Sequence, residues 1–403
     1  EMAGDSFTRH LADLVQAGEI PVETIDAAVA NILRIKFELG LFERPYTDPS
    51  ALPAAGSDFA LSAARRAALQ SIVMLKNDGG VLPLAVKDLD SLAGIGPLAD
   101  APYEQLGTWI FDGDPELSVT GLGGIRSLVG DDVDVRYVRA MATSRSRDPA
   151  PFEEVVAVAS DSDAVVAFLG EESILSGEAH SRADIGLPGA QAELVQRLRA
   201  TGKPVIAVIM AGRPLTLGNI LDDVDAILYA WHPGSMGGPA IADILFGVES
   251  PSGKLPVTFP KMVGQLPMYY NYKNTGRPFD PQKYVPIDEI PVRAWQTSLG
   301  NETHFLDAGF HPQFPFGFGL SYTSFAYSDL EVSAPTLAAG GSLEIAATVT
   351  NSGKVAADEV VQLYVRDLVG SITRPVKELE GFTRISLGPG EAERVRFTLT
   401  GDQ

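Results

Sequence analysis

Two changes of pattern along the chain predict its fold class, an α/β domain followed by an all-β sandwich. Between about residues 57 and 262, short β-branched apolar runs alternate with stretches of helical periodicity, the order expected of buried parallel strands joined by crossover helices. After about residue 323 the runs alternate apolar with polar residues and are spaced by turn residues, the pattern of a sandwich. Length agrees: 403 residues exceed one average domain, and two or three are expected.

The first element is an amphipathic helix in "SFTRHLADLVQAG", with Leu11, Leu14 and Val15 on one face. "PVETIDAAVANILRIKFELGLF" predicts a second, because Ile25, Val29, Ile32, Leu33, Ile35 and Leu39 recur at helical spacing and Gly40 supplies the stop. The Pro-containing "ERPYTDPSALPAAG" then reads as a linker, which sets residues 1–45 apart. "SDFALSAARRAALQSIVMLKN" reads as one helix capped by Ser57 or Asp58. The parallel strands are expected in "SLAGIG", "DVDVRYV", "DAVVAFLG", "PVIAVIMAG" and "DAILYAW". Residues 263–322 are aromatic and Pro-rich, and predict a long ordered connection with little regular structure. Within it "VPIDEIPVRAWQTSLGNETHFLDAG" (about 284–309) either lines a pocket or forms a dimer contact, and the sequence leaves both open. The sandwich strands, over 323–403, are expected in "YSDLEVSAP", "GSLEIAATVTNSG", "EVVQLYVRD", "KELEGFTRISL" and "ERVRFTLT". The last run stops at "TGDQ", which leaves open that the sandwich is truncated.

Composition excludes several function classes. With 45% apolar and 21% charged residues the chain is globular. A formal charge of −21 repels nucleic acid and anionic membrane, and suits a soluble protein with a neutral ligand. The absence of cysteine removes disulfides and thiolate metal sites. No apolar run of about 18 residues could span a bilayer. The opening "EMAGDSFTRH" lacks an initiator Met and a signal pattern, so the chain reads as a fragment.

Three motifs carry chemistry on paper. "AGIGPLA" matches the dinucleotide fingerprint at Gly94, Gly96 and Ala99, but neither helical periodicity nor a strand ending in an acidic residue follows it. "WHPGSMGG" sets His232 near Ser235, yet the order is not Gly-x-Ser-x-Gly, and a Gly-rich strand-to-helix turn with close backbone packing accounts for it better. The histidines, at 10, 180, 232, 304 and 311, lack ligand spacing, so no metal site and no cofactor is expected from them. A structural calcium held by carboxylates and carbonyls stays open.

The third motif is the loop "EESILSGEAHSRADIGLPG", residues 171–189, with Glu171, Glu172, Glu178, His180, Arg182 and Asp184. A strand-to-helix connection usually takes about 2–6 residues. Glu is ordinarily a solvated surface residue, but three features favour function here. The loop is long, it follows an expected parallel strand at the end where α/β sheets place ligands, and Gly177 before Glu178 lets the chain bend to present that side chain. A solvent-facing Glu suits proton donation to a leaving group, provided that a neighbouring carboxylate keeps it protonated once substrate is bound.

Taken in order, "SIVMLKNDGGVLPL", "GIGPLAD", "LGTWIFDGD", "GKPVIAVIMAGRPL", "WHPGSMGGPAIADILFGVESPSGKLPVTFP", "PFGFGLSYT" and "RPVKELEGFTRISLGPGE" resemble the C-terminal two-thirds of a glycoside hydrolase family 3 β-glucosidase. The resemblance implies that "EMAG…LFERPY" is the end of a (β/α)8 barrel, followed by an α/β sandwich domain and a fibronectin type III-like domain. It implies a retaining exo-β-glycosidase acting on terminal β-D-glucosyl residues of oligosaccharides or aryl β-glucosides, with β-xylosidase as the alternative within the family. A non-catalytic carbohydrate-binding or cell-surface module is the alternative from another class. Such enzymes pair a nucleophile with an acid/base about 5–5.5 Å away. By the resemblance the nucleophile is an Asp of an "SDW"- or "SDH"-like barrel motif upstream of residue 1, so the 403-residue chain alone is expected to be inactive. Glu178 matches the acid/base by its "SGE" setting, with Glu172 in reserve, while Glu171 resembles a structural residue that closes the strand. Trp109 of "LGTWI" matches an aglycone-side platform, for which core burial is the equal alternative, and Met2 matches a residue lining the innermost sugar site. The resemblance also implies a periplasmic or secreted location; a homodimer is a further expectation.

Overall fold

The computed structural model describes residues 3–52, 55–298 and 303–401. The chain divides into two compact units, Glu1–Ser57 and Asp58–Gln403. Met2 lies outside the described residues.

The first unit holds α1 (Ser6–Gln16) and α2 (Val22–Glu38), the two helices expected from their spacing. Pro21 caps the start of α2, where the missing N–H costs nothing. Gly40 ends it in a left-handed conformation (φ 67°), and Leu41 N–H donates back to the Lys36 carbonyl (3.0 Å). Neither helix has a buried residue, and Ile32, Ile35 and Phe37 are exposed.

The second unit opens with α3 (Asp58–Ser71) and β1 (Val73–Asn77). One uninterrupted helix was expected over this stretch, and the structure corrects it. Residues Ile72 to Leu75 are apolar at consecutive positions and all are buried, as a strand covered on both faces requires. A surface helix would bury only one stripe of them. The remaining elements follow as β2 (Ser91–Ile95), α4 (Pro102–Leu106), α5 (Gly121–Val129), β3 (Asp134–Val138), α6 (Phe152–Ser160), β4 (Ala164–Gly170), α7 (Gln191–Arg199), β5 (Val205–Met210), β6 (Ala226–Tyr229) and α8 (Gly237–Leu245). The sheet order is β1-β6-β5-β4-β2-β3, parallel throughout except for β1, which pairs antiparallel to β6.

All of β4 is buried, and its alternate side chains feed two cores. Val165, Ala167 and Leu169 pack with Leu194 and Leu198 of α7, while Val166 and Phe168 pack with Leu122 and Ile125 of α5 and Ile241 of α8. The strand ends at Gly170 (φ 132°), where a Cβ would fall 1.8 Å from the Met210 carbonyl oxygen, so only glycine fits. From there the chain enters the acidic loop.

Past α8 a largely irregular stretch leads to β7 (Phe325–Val332), β8 (Ser342–Asn351), β9 (Ala357–Val365), β10 (Glu378–Leu387) and β11 (Ala392–Thr400). They form a three-stranded sheet, β11-β8-β7, and a two-stranded one, β10-β9, over a small core of Val349, Val361, Ile385, Leu387 and Val395. Polar contacts lace the irregular stretch to both sides: Tyr322 Oη donates to Ile244 O (2.6 Å), and Lys254 pairs with Glu359 (3.1 Å). A cavity of about 770 Å³ opens between this stretch and the sandwich, lined among others by Tyr269, Tyr270, Phe305, Phe310 and Phe316. Phe305 belongs to the 284–309 segment; Glu178 and Trp109 are not among the lining residues. Among the described residues no helix is long and apolar enough to cross a membrane.

Candidate active site

Parallel strands deliver their following loops to one edge of a sheet, and that edge is where α/β proteins bind ligands. The loops after β2, β4, β5 and β6 meet there and are stitched together by polar side chains. Glu104 of α4 accepts from the backbone N–H (2.7 Å) and hydroxyl (2.8 Å) of Ser173. Gln105, 1% exposed, donates to the carbonyls of Val119 (2.8 Å) and Gly234 (2.9 Å). The loop after β2, which carries Trp109, is thereby fixed to the acidic loop on one side and to the turn after β6 on the other.

The acidic loop is a folded object. Its far end is returned to the strand by the buried Gln191, which accepts from Gly170 N–H (2.8 Å) and donates to Gly170 O (2.8 Å). Its near end is held by Glu171, whose side chain is fully buried. That carboxylate accepts from Arg182, on the far arm of the loop, and from Arg213 Nε (2.9 Å), just past β5. Arg213 Nη2 in turn donates to the carbonyls of Leu175 and His180 (3.0 Å). His180 Nδ1 donates to Ile174 O (2.5 Å), and Asp184 accepts from Gly186 N–H (2.9 Å). The loop thus spends most of its charged residues on holding its own shape.

The loop carries three glutamates, and their surroundings differ. Glu171 lies between two guanidinium groups without access to solvent. Glu172 is 8% exposed, accepts from the Ser144 hydroxyl, and pairs with Arg145 at 3.5 Å. Glu178 is exposed, and no described residue hydrogen-bonds or pairs with its carboxylate. The turn presenting it departs from expectation in one detail. Gly177 has an ordinary negative φ of −64°. Its lack of a side chain matters for proximity, because a Cβ would sit 3.1 Å from Ile174 O and 3.2 Å from His180 Nδ1. The left-handed residue is Ala179 (φ 62°).

Trp109 points outward. It is 60% exposed and packs edge-to-face on Phe111, itself 84% exposed, with centroids 5.7 Å apart. Core burial, the equal alternative from sequence, does not describe it. Its backbone is left-handed (φ 62°), as is that of Trp231 (φ 57°) after β6. Non-glycine residues in this region cost free energy and gather at functional sites; Trp109, Ala179 and Trp231 all stand on the loops of this edge.

Sequence reasoning missed Arg213, Glu104 and the state of His232. The signal for Arg213 was a lone cation directly after a wholly apolar strand, "VIAVIMAGR". His232 has both ring nitrogens buried and without a hydrogen-bond partner among the described residues. Burial pushes its pKa down, opposed by the negative charges of Glu171 and Glu104. Gly107 and Gly212 wrap the ring: a Cβ on them would lie 2.7 Å from His232 Cβ and 2.9 Å from Nε2 respectively. Close packing expected of the glycine-rich turn is present too, since a Cβ on Gly238 would meet Thr120 O at 2.0 Å.

Comparison with known proteins agrees with this architecture. Residues 72–322 match the glycosyl hydrolase family 3 C-terminal domain, and residues 359–403 match the fibronectin type III-like domain. A periplasmic β-glucosidase of Salmonella typhimurium is 38% identical over 99% of this chain and 53% of its own length. A β-xylosidase of Formosa agariphila is 38% identical over 98% of this chain and 52% of its own. The crystal structure of a β-glucosidase from Listeria innocua in complex with isofagomine superposes with a TM-score of 0.85 at 35% identity, covering 99% of this chain and 53% of that one. The chain spans about half the length of the curated relatives it matches. With a family model covering most of its α/β unit and the sandwich model following in the same order, the chain belongs to glycosyl hydrolase family 3.

Proposed function

We propose that this chain supplies the acid/base half of a retaining exo-β-glycosidase, with β-glucosidase as the preferred activity. One observation carries the reading. Of the three glutamates on the loop at the ligand-binding edge, only Glu178 offers an exposed, unengaged carboxyl group, and the backbone around it is tied down. In the first step Glu178 protonates the glycosidic oxygen as a nucleophile attacks the anomeric carbon; in the second its carboxylate takes a proton from the water that releases the sugar. The nucleophile is assigned to an Asp of a preceding (β/α)8 barrel, and no Asp of this chain is given that role. On this reading the 403 residues alone do not hydrolyse glycosides. Trp109 serves as the stacking face for the leaving-group sugar, because sugar C–H faces are apolar and slightly positive and suit an indole. Met2 is proposed to line the innermost sugar site, and the location is proposed to be periplasmic or secreted, as the Salmonella relative's name says of that protein.

The test is Glu178→Ala in the complete enzyme, across leaving groups. Glycosides with poor, alkoxide-like leaving groups need the proton and should lose roughly 10²–10⁴-fold. A dinitrophenyl glucoside should keep its first step, and azide, which needs no deprotonation, should restore turnover and yield the β-glycosyl azide. Uniform loss on all substrates without azide rescue would remove Glu178 from the role and bring Glu172 forward. A β-xylosidase is the second reading, favoured by the Formosa relative's equal identity; kcat/KM on nitrophenyl β-glucoside against β-xyloside separates the two.

A further inference from the structure

We infer that Arg213 is a positioning residue that holds Glu178 at a fixed place in the site, with Glu171 as its anchor; the inference rests on the reading of Glu178 as acid/base. The guanidinium brackets the catalytic turn. Its Nη2 donates to Leu175 O, three residues before Glu178, and to His180 O, two residues after it. Two turn bonds run through the same stretch, Gly177 N–H to Ile174 O (3.0 Å) and His180 N–H to Gly177 O (3.1 Å). Arg213 is itself held at both its side chain and its backbone. Nε donates to the buried Glu171 carboxylate, and the backbone carbonyl of Arg213 accepts from Tyr229 Oη, a side chain with no exposure. Tyr229 lies in β6 and packs edge-to-face on Phe259 (4.9 Å), so the tether runs from the turn into the sheet core.

The geometry explains why an arginine stands here. Three acceptors in different directions, one carboxylate and two carbonyls, match a planar fork of fixed donors, whereas a lysine offers one point charge on a flexible stem. It also resolves a conflict in what the loop must do. An acid/base needs its carboxyl group exposed to substrate, yet an exposed side chain on a long loop is free to wander. A misplacement of about 1 Å can cost on the order of 10²-fold in rate. Arg213 restricts the backbone on both sides of Glu178 while leaving its carboxylate unengaged.

The experiment uses the complete enzyme with Glu178→Ala, Arg213→Gln, Arg213→Lys and the double variant Glu178→Ala/Arg213→Gln. Each is assayed on an alkyl β-glucoside and on a dinitrophenyl β-glucoside under conditions that report the first step. A merely structural role lowers both substrates equally. A positioning role makes Arg213→Gln selective, with a loss of about 10–10²-fold on the alkyl glucoside and little on the dinitrophenyl one. In the double variant the second substitution should add less than about twofold on the alkyl glucoside, because there is no acid left to position. Arg213→Lys keeps the charge beside Glu171 but not the fork, and should show the same selectivity; it carries the test if the Gln variant does not fold. Equal losses on both substrates, or multiplicative losses in the double variant, overturn the inference. If Glu178→Ala is selective and the folded Arg213 variants are not, the inference alone falls; if Glu178→Ala is itself unselective, the reading of Glu178 falls and the inference with it.

Discussion

Replacing Glu171 by Ala should be among the most damaging single changes in the α/β unit, and the structure allows its size to be estimated. The side chain has no exposure, while its partners Arg182 and Arg213 retain 21% and 17%. Deleting the carboxylate leaves two guanidinium groups side by side and mostly out of water. Breaking a buried ion pair by removing one partner costs about 3–5 kcal/mol, chiefly through the uncompensated charge left behind. Residual exposure of both arginines lets water recover part of that, which argues for the lower end, about 3 kcal/mol. At the roughly 2 °C per kcal/mol that larger domains show, the melting temperature should fall by about 6 °C. Glu171→Gln keeps the shape and one carbonyl acceptor but no charge, and should lose about 2 kcal/mol, the scale of a charge-assisted hydrogen bond. The assay is thermal unfolding followed by circular dichroism and calorimetry at neutral pH. A loss of less than about 1 kcal/mol for Glu171→Ala would place the cluster in the class of solvated surface pairs. It would also remove the anchor from Arg213.

Two further outcomes are expected. If Trp109 is the stacking face proposed above, Trp109→Ala in the complete enzyme should weaken oligosaccharide substrates more than aryl glucosides with small leaving groups, by about 1 kcal/mol or roughly fivefold in KM, and equal loss on both would indicate a folding defect. His232 has its pKa pushed below the usual 6.5 by burial, so between its folded value and 6.5 the unfolded chain binds the extra proton; its contribution is present above about pH 6.5 and is lost as pH falls through that window. His232→Gln should therefore flatten the acid-side decline of stability, and an unchanged slope in urea titrations at stepped pH would show that the ring is not held neutral.

Much of the fold was legible because the parallel strands are buried on both faces. A run such as "DAVVAFLG" leaves no room for a polar stripe and declares itself as a strand between helices. The same property hid β1. "SIVMLKN" also holds a continuous apolar run, Ile72 to Leu75, but β1 follows a helix with only Ile72 between them, so nothing in the local pattern separates strand from helix continuation. Its antiparallel pairing with β6, far along the chain, decides the matter, and pairing at that separation leaves no mark on a short window of sequence.

The site divides in the same way between local and distant causes. Length, acidity and position after a strand pointed to the loop over residues 171–189, and these are local quantities. What Glu171 and Glu172 do there is set by groups outside the loop as well as within it, Arg213 past β5 for the first and Ser144 and Arg145 past β3 for the second, while Glu104 past β2 fixes the loop through Ser173. Glu171, Glu172 and Glu178 are chemically identical in the sequence, and the distinction between a buried anchor, a buried glutamate held by Ser144 and Arg145, and an exposed carboxyl group arises only when the sheet brings those partners to one edge. Trp109 shows the converse. The sequence left burial and display of this indole as equal alternatives, and a left-handed backbone between two stitched loops turns it outward beside Phe111. A residue for which the sequence left core burial an equal alternative is displayed at a strained position on the same edge as the exposed glutamate, and a free-energy cost of that kind persists where the surrounding contacts over-determine it.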